Sequence, residues 1–412
     1  MKKITALTLL TGLVAASQVT AANYDLYLTG STAFRANAFA ACQKLYDGGA
    51  PASANDGTAN PPASGDSQWT FTGTATNLNI TSGTDTLTIH ALWTGSVQGL
   101  SALLNKDQLV FLASATQGST TLVTNSSSAA FSDVFSSVTL DPLPSGSFTE
   151  KKVAVQPFVF VKSTAPGGVQ SITNITWQQL NTFLGSAGSV PLSYLTGRAS
   201  DATTNIYLVH RTLDSGTRVT TVQEAKYFGS VTVNYYDPTT DAYYAATTNM
   251  GPAAFGPGYV SGGNVKTVMQ YANPGNQGIA YLSMSDAKGI TGTAWQNILA
   301  YNGNYPIAGY VPGSAPTTND YSPVIWGKYS FWAFECLDAP KTSQWSTYTD
   351  QNLSFTQLNN IISKLSGTGA GSIDFEIANS ETNTASSTFP ATAIRLSEMQ
   401  VSRAAVGGVI AP

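Results

Sequence analysis

The sequence predicts an α/β protein of about two domains, and three observations carry that prediction. A strand–turn–helix unit recurs at residues 24–46, 86–104 and 206–228, each with Gly and Ser or Thr at its turn. Behind a leader spanning residues 1–21, 412 − 21 = 391 residues remain, a length that suits two domains. Only 10% of residues are charged, against about 25% in an average domain. Gly, Ser, Thr and Asn supply the surface instead, as in strand- and loop-rich extracytoplasmic chains.

The leader reads Lys2-Lys3, an apolar run from Ile4 to Ala16, then Val19-Thr20-Ala21. A basic start, a short apolar core and small residues at a cleavage position make a secretory signal peptide. The run is too short to span a bilayer, and no cysteine follows it at a lipid-attachment position. A soluble periplasmic or secreted protein is expected. Cleavage after Ala21 takes the charge from 19 − 23 = −4 to 17 − 23 = −6, which argues against nucleic acid and anionic membrane as partners.

Tyr24 to Leu28 alternates as a strand, Thr29-Gly30-Ser31-Thr32 turns, and Ala33 to about Tyr46 spaces Phe34, Ala38, Cys42 and Leu45 as one helix face. Residues 47–67 carry no periodicity, and Gln68 to Asp85 reads as one or two hairpins, so 47–85 looks like a β-rich insertion. Thr86 to Trp93 is the second strand, with His90 expected as a core histidine. Thr94-Gly95-Ser96 is its turn and Val97 to Leu104 its helix. Leu109 to Ala113 predicts a strand, and Val153 to Lys162, which contains Pro157, a strand at an edge or crossing between domains. Thr176 to Phe183 is a short helix, and 230–263 a second loop-rich insertion. Ile279 to Ser283 is a strand, Ser322 to Leu337 a strand and turn, Phe355 to Leu365 a helix, and the tail after Gly407 is expected to be loose.

The third unit carries the chemistry. Ile206 to Val209 is a buried strand, Asp214-Ser215-Gly216 stops it, and a helix follows from Thr217. Such a helix start aims unpaired N–H groups, hydroxyls and the positive end of the macrodipole at an anion. Arg211, four residues before Ser215, adds a planar fork of donors. The bland reading is a capped helix start with Arg211 on the surface. Asp214-Ser215-Gly216-Thr217 also spells an aspartic-protease loop, but that chemistry needs a second carboxylate loop, which the sequence lacks. No nucleophile–base pair is readable, so no enzyme is expected. His90 and His210 are the only histidines and neither sits in a Cys/His cluster, so no metal site is expected. Cys42 and Cys336 are either one disulfide or two buried thiols.

Four stretches together resemble the phosphate-binding proteins of the bacterial periplasm, the solute receptors of ABC phosphate importers. They are Leu28 to Phe34, Thr94 to Gly99, Arg211-x-x-x-Ser215-Gly216-Thr217 and Gln277 to Tyr281. The third matches the family's R-x-x-x-S-G-T motif residue for residue. The resemblance implies a two-domain periplasmic-binding-protein fold with a cleft between domains, divided as 22–150, 151–284 and a return over 285–412. It implies phosphate or a similar oxyanion as ligand, without a cofactor, and a monomeric receptor with an ABC permease as partner. Thr32, Ala33, Phe34 and Ser96 would form one wall; Arg211, Ser215, Gly216 and Thr217 the other. It places Cys42 and Cys336 in one domain, which favours their disulfide. The family's carboxylate that accepts the phosphate proton falls at Ala115 here, which implies weak discrimination between phosphate and sulfate unless Asp214 or Asp107 replaces it. A secreted structural or adhesive protein with the same fold is the competing reading.

Overall fold

The computed structural model describes residues 21–63, 65–78, 85–138, 146–245, 257–290, 297–314, 320–366 and 392–412. The expected signal peptide lies outside them, apart from Ala21. Strand β1 (Asn23–Gly30) runs into α1 (Arg35–Gln43). Strands β2 (Ser53–Asn55), β3 (Gln68–Gly73) and β4 (Thr86–Leu92) form an antiparallel meander, and α2 (Ser96–Asn105) follows β4. The 47–85 region, in its described residues, therefore extends the main sheet through β2 and β3. Its Trp69 and Phe71 stack at 4.3 Å and are fully buried. Burial of a Phe side chain stabilises by about 1.5–3 kcal/mol, reason enough for the meander to join the core.

Strands β5 (Leu109–Leu112) and β6 (Leu122–Asn125) make a separate two-stranded sheet. The strand beside β1 is instead β7 (Ala129–Ser132), which pairs with it in parallel. Next comes β8 (Phe148–Lys162), then β9 (Asn174–Ile175), α3 (Trp177–Gly185), β10 (Ser189–Pro191) and α4 (Ser193–Thr196). The third unit is β11 (Asn205–Val209) and α5 (Gly216–Glu224). The 230–263 region contributes the hairpin β12 (Asn234–Asp237) and β13 (Ala242–Ala245), which extends the sheet beyond β11. After α6 (Gly262–Gln270) come β14 (Gly278–Ser283), α7 (Met284–Lys288), β15 (Ile298–Tyr301) and α8 (Ser322–Ile325). Strand β16 (Trp332–Pro340), α9 (Thr342–Trp345) and α10 (Phe355–Leu365) complete the named elements. Ser322 to Leu337 is thus a short helix followed by a strand, the reverse of the expected order; Pro323 at the helix start suits the first turn.

One continuous sheet runs β13-β12-β11-β14-β8-β16-β7-β1-β4-β3-β2. It holds two parallel blocks, β7-β1-β4 and β12-β11-β14, joined through antiparallel β8 and β16. Two main hydrophobic cores flank this junction. Val153 and Ala154 of β8 lie in the first core, whereas Phe158 to Val161 lie in the second; Trp332 to Phe334 and Cys336 of β16 lie in the second, Leu337 and Ala339 in the first. So β8 crosses between the cores, and β16 crosses back between Cys336 and Leu337.

Two further expectations fail. Cys42 and Cys336 are free and buried, one in each core, because the late crossing of β16 leaves Cys336 on the second core's side. The tail is docked, since Arg403 makes a buried ion pair with Glu224 at 2.8 Å and Ala411 exchanges backbone bonds with Ser402.

Candidate functional site

All three predicted turns lie at the carboxyl ends of parallel strands, and the fold brings them together. The first two are joined directly, Gly95 N–H donating to the Gly30 carbonyl at 2.8 Å. Gly95 adopts φ +114°, a conformation that favours glycine, and α2 starts with no side-chain cap. Its Val97 N–H is satisfied from the other block, by the Asp214 carbonyl at 3.1 Å. Helix α5 is capped internally: the Ser215 hydroxyl accepts from Arg218 N–H at 3.3 Å.

The eight residues singled out from the sequence are all buried. Phe34 sends its ring into the first core, 5.6 Å from that of Phe131, while neighbouring Ala33 packs into the second. Arg211 is only 3% exposed, which removes the surface reading. Its Nη2 donates to Thr32 Oγ1 and to the Val260 carbonyl, each at 3.0 Å, and Nε donates to the Tyr259 carbonyl at 3.0 Å. Burial pulls the Arg211 guanidinium below its ordinary value, while Tyr281, Asp286 and Asp133 counter the shift. Tyr281 Oη accepts the Arg211 backbone N–H at 3.1 Å, and the Arg211 carbonyl accepts from Arg218 Nη1 at 2.9 Å. The neighbouring His210 is neutral, held well below its ordinary value by burial and by Arg218.

Between the two helix N-termini stands Asp133, a residue the sequence reading missed. It directly follows β7 and is 1% exposed. Its carboxylate accepts from the Ser96 hydroxyl on one side and from Thr217 Oγ1 at 3.1 Å on the other. A β-carbon on Gly216 would collide with Asp133 Oδ1, so the close approach requires glycine there. Burial raises the pKa of Asp133, and its bonds from Ser96 and Thr217 together with the Arg211 charge oppose the rise. Asp133 follows β7, which pairs with β1, whereas Ala115 follows β5 in the separate small sheet. Asp214 reaches the seam through its carbonyl, which accepts from the Val97 N–H.

A second buried acid lies below the first turn. Glu335 Oε2 is 3.5 Å from the Ser31 hydroxyl and its Oε1 has no partner among the described residues. Burial pushes Glu335 well above the ordinary range, and Asp133 and Asp338 add to the shift. His90 is a satisfied core histidine as expected, with Nδ1 at 2.7 Å from the Leu112 carbonyl and Nε2 at 3.2 Å from Asp25.

The site thus combines two helix N-termini, four hydroxyls, one guanidinium and one carboxylate in a desolvated seam. That set suits a small oxyanion carrying a proton, since helix ends and Arg211 favour negative charge and the carboxylate accepts one donor.

No family model matches the chain, and no curated protein matches it. Among solved structures, it is similar to one described as a phosphate ABC transporter substrate-binding protein with bound phosphate from Clostridium perfringens, at 13% identity and TM-score 0.48, over 90% of this chain and 99% of that one. It is also similar to an ABC-type phosphate transport receptor from Vibrio cholerae (12%, TM-score 0.39, 84% and 95% covered). A phosphate-binding protein from Stenotrophomonas maltophilia gives 12%, TM-score 0.42, and 92% and 91% covered. At such scores the functional reading rests on the geometry of the site.

Proposed function

We propose that this chain is an exported, non-enzymatic receptor for phosphate, held between the N-termini of α2 and α5. The observation that supports it is the convergence of Ser96, Thr217 and Arg211 around the buried carboxylate of Asp133. An ionised carboxylate only accepts hydrogen bonds and offers about four lone-pair sites. Two are used by the hydroxyls, which leaves room for the proton that phosphate carries at neutral pH. Thr32, Ala33, Phe34 and Ser96 on one side, and Arg211, Ser215, Gly216 and Thr217 on the other, would line the anion, with Arg211 as its main countercharge. The two cores support a division into two domains, roughly 22–154 with 337–366 and 155–336 with 394–412, with the ligand at their seam. The names of the similar structures agree with this reading, and an ABC permease is the partner it implies.

A second reading is favoured by the same contacts. Ser96 and Thr217 are already bonded to Asp133, which abuts Gly216; in a secreted structural or adhesive protein that internal carboxylate would take the anion's place. Calorimetric titration with inorganic phosphate, together with thermal melting, separates the two. Phosphate at 100 times its dissociation constant stabilises a receptor by about 2.7 kcal/mol. No heat and an unmoved melting temperature would leave the structural reading standing.

A further inference from the structure

We infer that Arg35 and Asp286 form a second tie across the seam, and that this ion pair governs how long a bound oxyanion is retained. The inference about retention rests on the receptor reading above. Arg35 opens α1, three residues beyond Thr32, and Asp286 lies in α7, on the far side of the seam. Arg35 Nη2 meets Asp286 Oδ1 at 2.7 Å, with the two side chains only 10% and 4% exposed. The same guanidinium donates through Nη1 to the Thr32 carbonyl at 2.8 Å and through Nε to the Gly65 carbonyl at 3.0 Å.

Asp286 is fixed in turn. Its Oδ2 accepts from the Ser283 hydroxyl at 3.2 Å, and its carboxylate abuts Gly262 at the start of α6, where a β-carbon would collide. The helix end favours that negative charge. One residue earlier, the Ser285 hydroxyl donates to the Ala33 carbonyl at 3.3 Å. The seam is therefore stitched at two places that share one turn. Arg35 grips the Thr32 backbone, and the Thr32 hydroxyl accepts from Arg211. A continuous chain, Asp286–Arg35–Thr32–Arg211, joins the ion pair to the cradle.

This arrangement has a kinetic consequence. Removing one partner of a buried ion pair is costly in the closed state, because the other charge stays buried without compensation. The pair therefore holds the closed, bound state together, and a variant lacking one partner opens more readily. Once the halves are apart, both ions hydrate and no longer matter to capture. The pair belongs to the dissociation rate, where most differences among variants of one binding surface fall.

Stopped-flow kinetics with inorganic phosphate at fixed ionic strength test this in the full chain. Asp286→Asn and Arg35→Gln are each expected to speed release about tenfold, with association changed less than about twofold. The double variant is expected to release no faster than either single one, as for directly coupled residues. Arg35→Lys, which keeps the charge and loses the Gly65 and Thr32 bonds, is the milder variant should Arg35→Gln fold poorly; intermediate release is expected. Small-angle scattering reads the tie without ligand, with a larger radius of gyration expected for the Asp286→Asn and Arg35→Gln variants. If wild type binds phosphate and release is unchanged in both variants, the inference is overturned. If wild type binds none, the receptor reading fails, and unchanged scattering then overturns the tie itself.

Discussion

The two helix N-termini that meet at Asp133 are built differently. Helix α5 is complete in itself, with Ser215 as its cap and Gly216 leaving room for the carboxylate. Helix α2 has Gly95 in place of a side-chain cap, and its Val97 N–H finds an acceptor only in the Asp214 carbonyl across the seam. One end is specified locally; the other is satisfied only when the halves meet. Capping chemistry therefore shows where α5 begins, whereas the start of α2 depends on the contact between the two halves.

Substitutions that act on this asymmetry rank by expected effect. Arg211→Ala leaves a buried dianion short of its main countercharge, at a cost of roughly 3–5 kcal/mol in phosphate affinity; calorimetry on both proteins checks it, and equal affinity would remove Arg211 from the site. Gly216→Ala forces a β-carbon against Asp133 and should cost on the order of 1–3 kcal/mol of stability, the usual range for overpacking. A denaturation midpoint unchanged from wild type would show that Asp133 moves aside freely. Ser215→Ala removes only the cap of α5 and should cost about 1 kcal/mol, measured in the same way. A loss as large as that for Gly216→Ala would mean that α5 also leans on the opposite half.

Glu335→Gln runs in the other direction. The folded protein raises the Glu335 pKa well above its ordinary value, so between the unfolded and folded pKa values the native state holds a proton that the unfolded chain releases. Stability then falls as pH rises through that window. Glutamine removes the dependence, so the variant should gain on wild type between pH 4 and pH 7 in urea denaturation. An equal difference at the two pH values would contradict the burial of a neutral acid there.

Much of this site was legible in the sequence, for a local reason. Strand–turn–helix units announce themselves through β-branched runs, Gly and Ser/Thr turns and helical spacing, and all three stand within a few residues of the expected positions. Arg211 and Ser215-Gly216-Thr217 form one short motif. Asp133 had no such signal. It follows a four-residue strand that comes after Ser126-Ser127-Ser128 and is too short for a periodic pattern, and its partners Ser96 and Thr217 are 37 and 84 residues away. Arg35 and Asp286 are 251 residues apart, and nothing near either names the other. The cysteines failed for a related reason, since a one-residue shift in where β16 crosses decides which core receives Cys336. What a residue does within its own turn was readable; which turns meet was not.

The most direct test of the account is competition between phosphate and sulfate at pH 7 and fixed ionic strength, in wild type and in Asp133→Asn. Sulfate carries no proton there and would present a bare oxygen to the carboxylate, whereas phosphate donates to it; a site that pairs a donor rejects the analogue lacking one by large factors. With Asp133 in place of the expected Ala115, discrimination should be strong where the sequence alone implied it would be weak. The account predicts a phosphate preference above about a thousandfold, roughly 4 kcal/mol, in wild type, and below about tenfold in Asp133→Asn. Comparable affinity for the two anions in wild type, or a preference that survives Asp133→Asn, would contradict it.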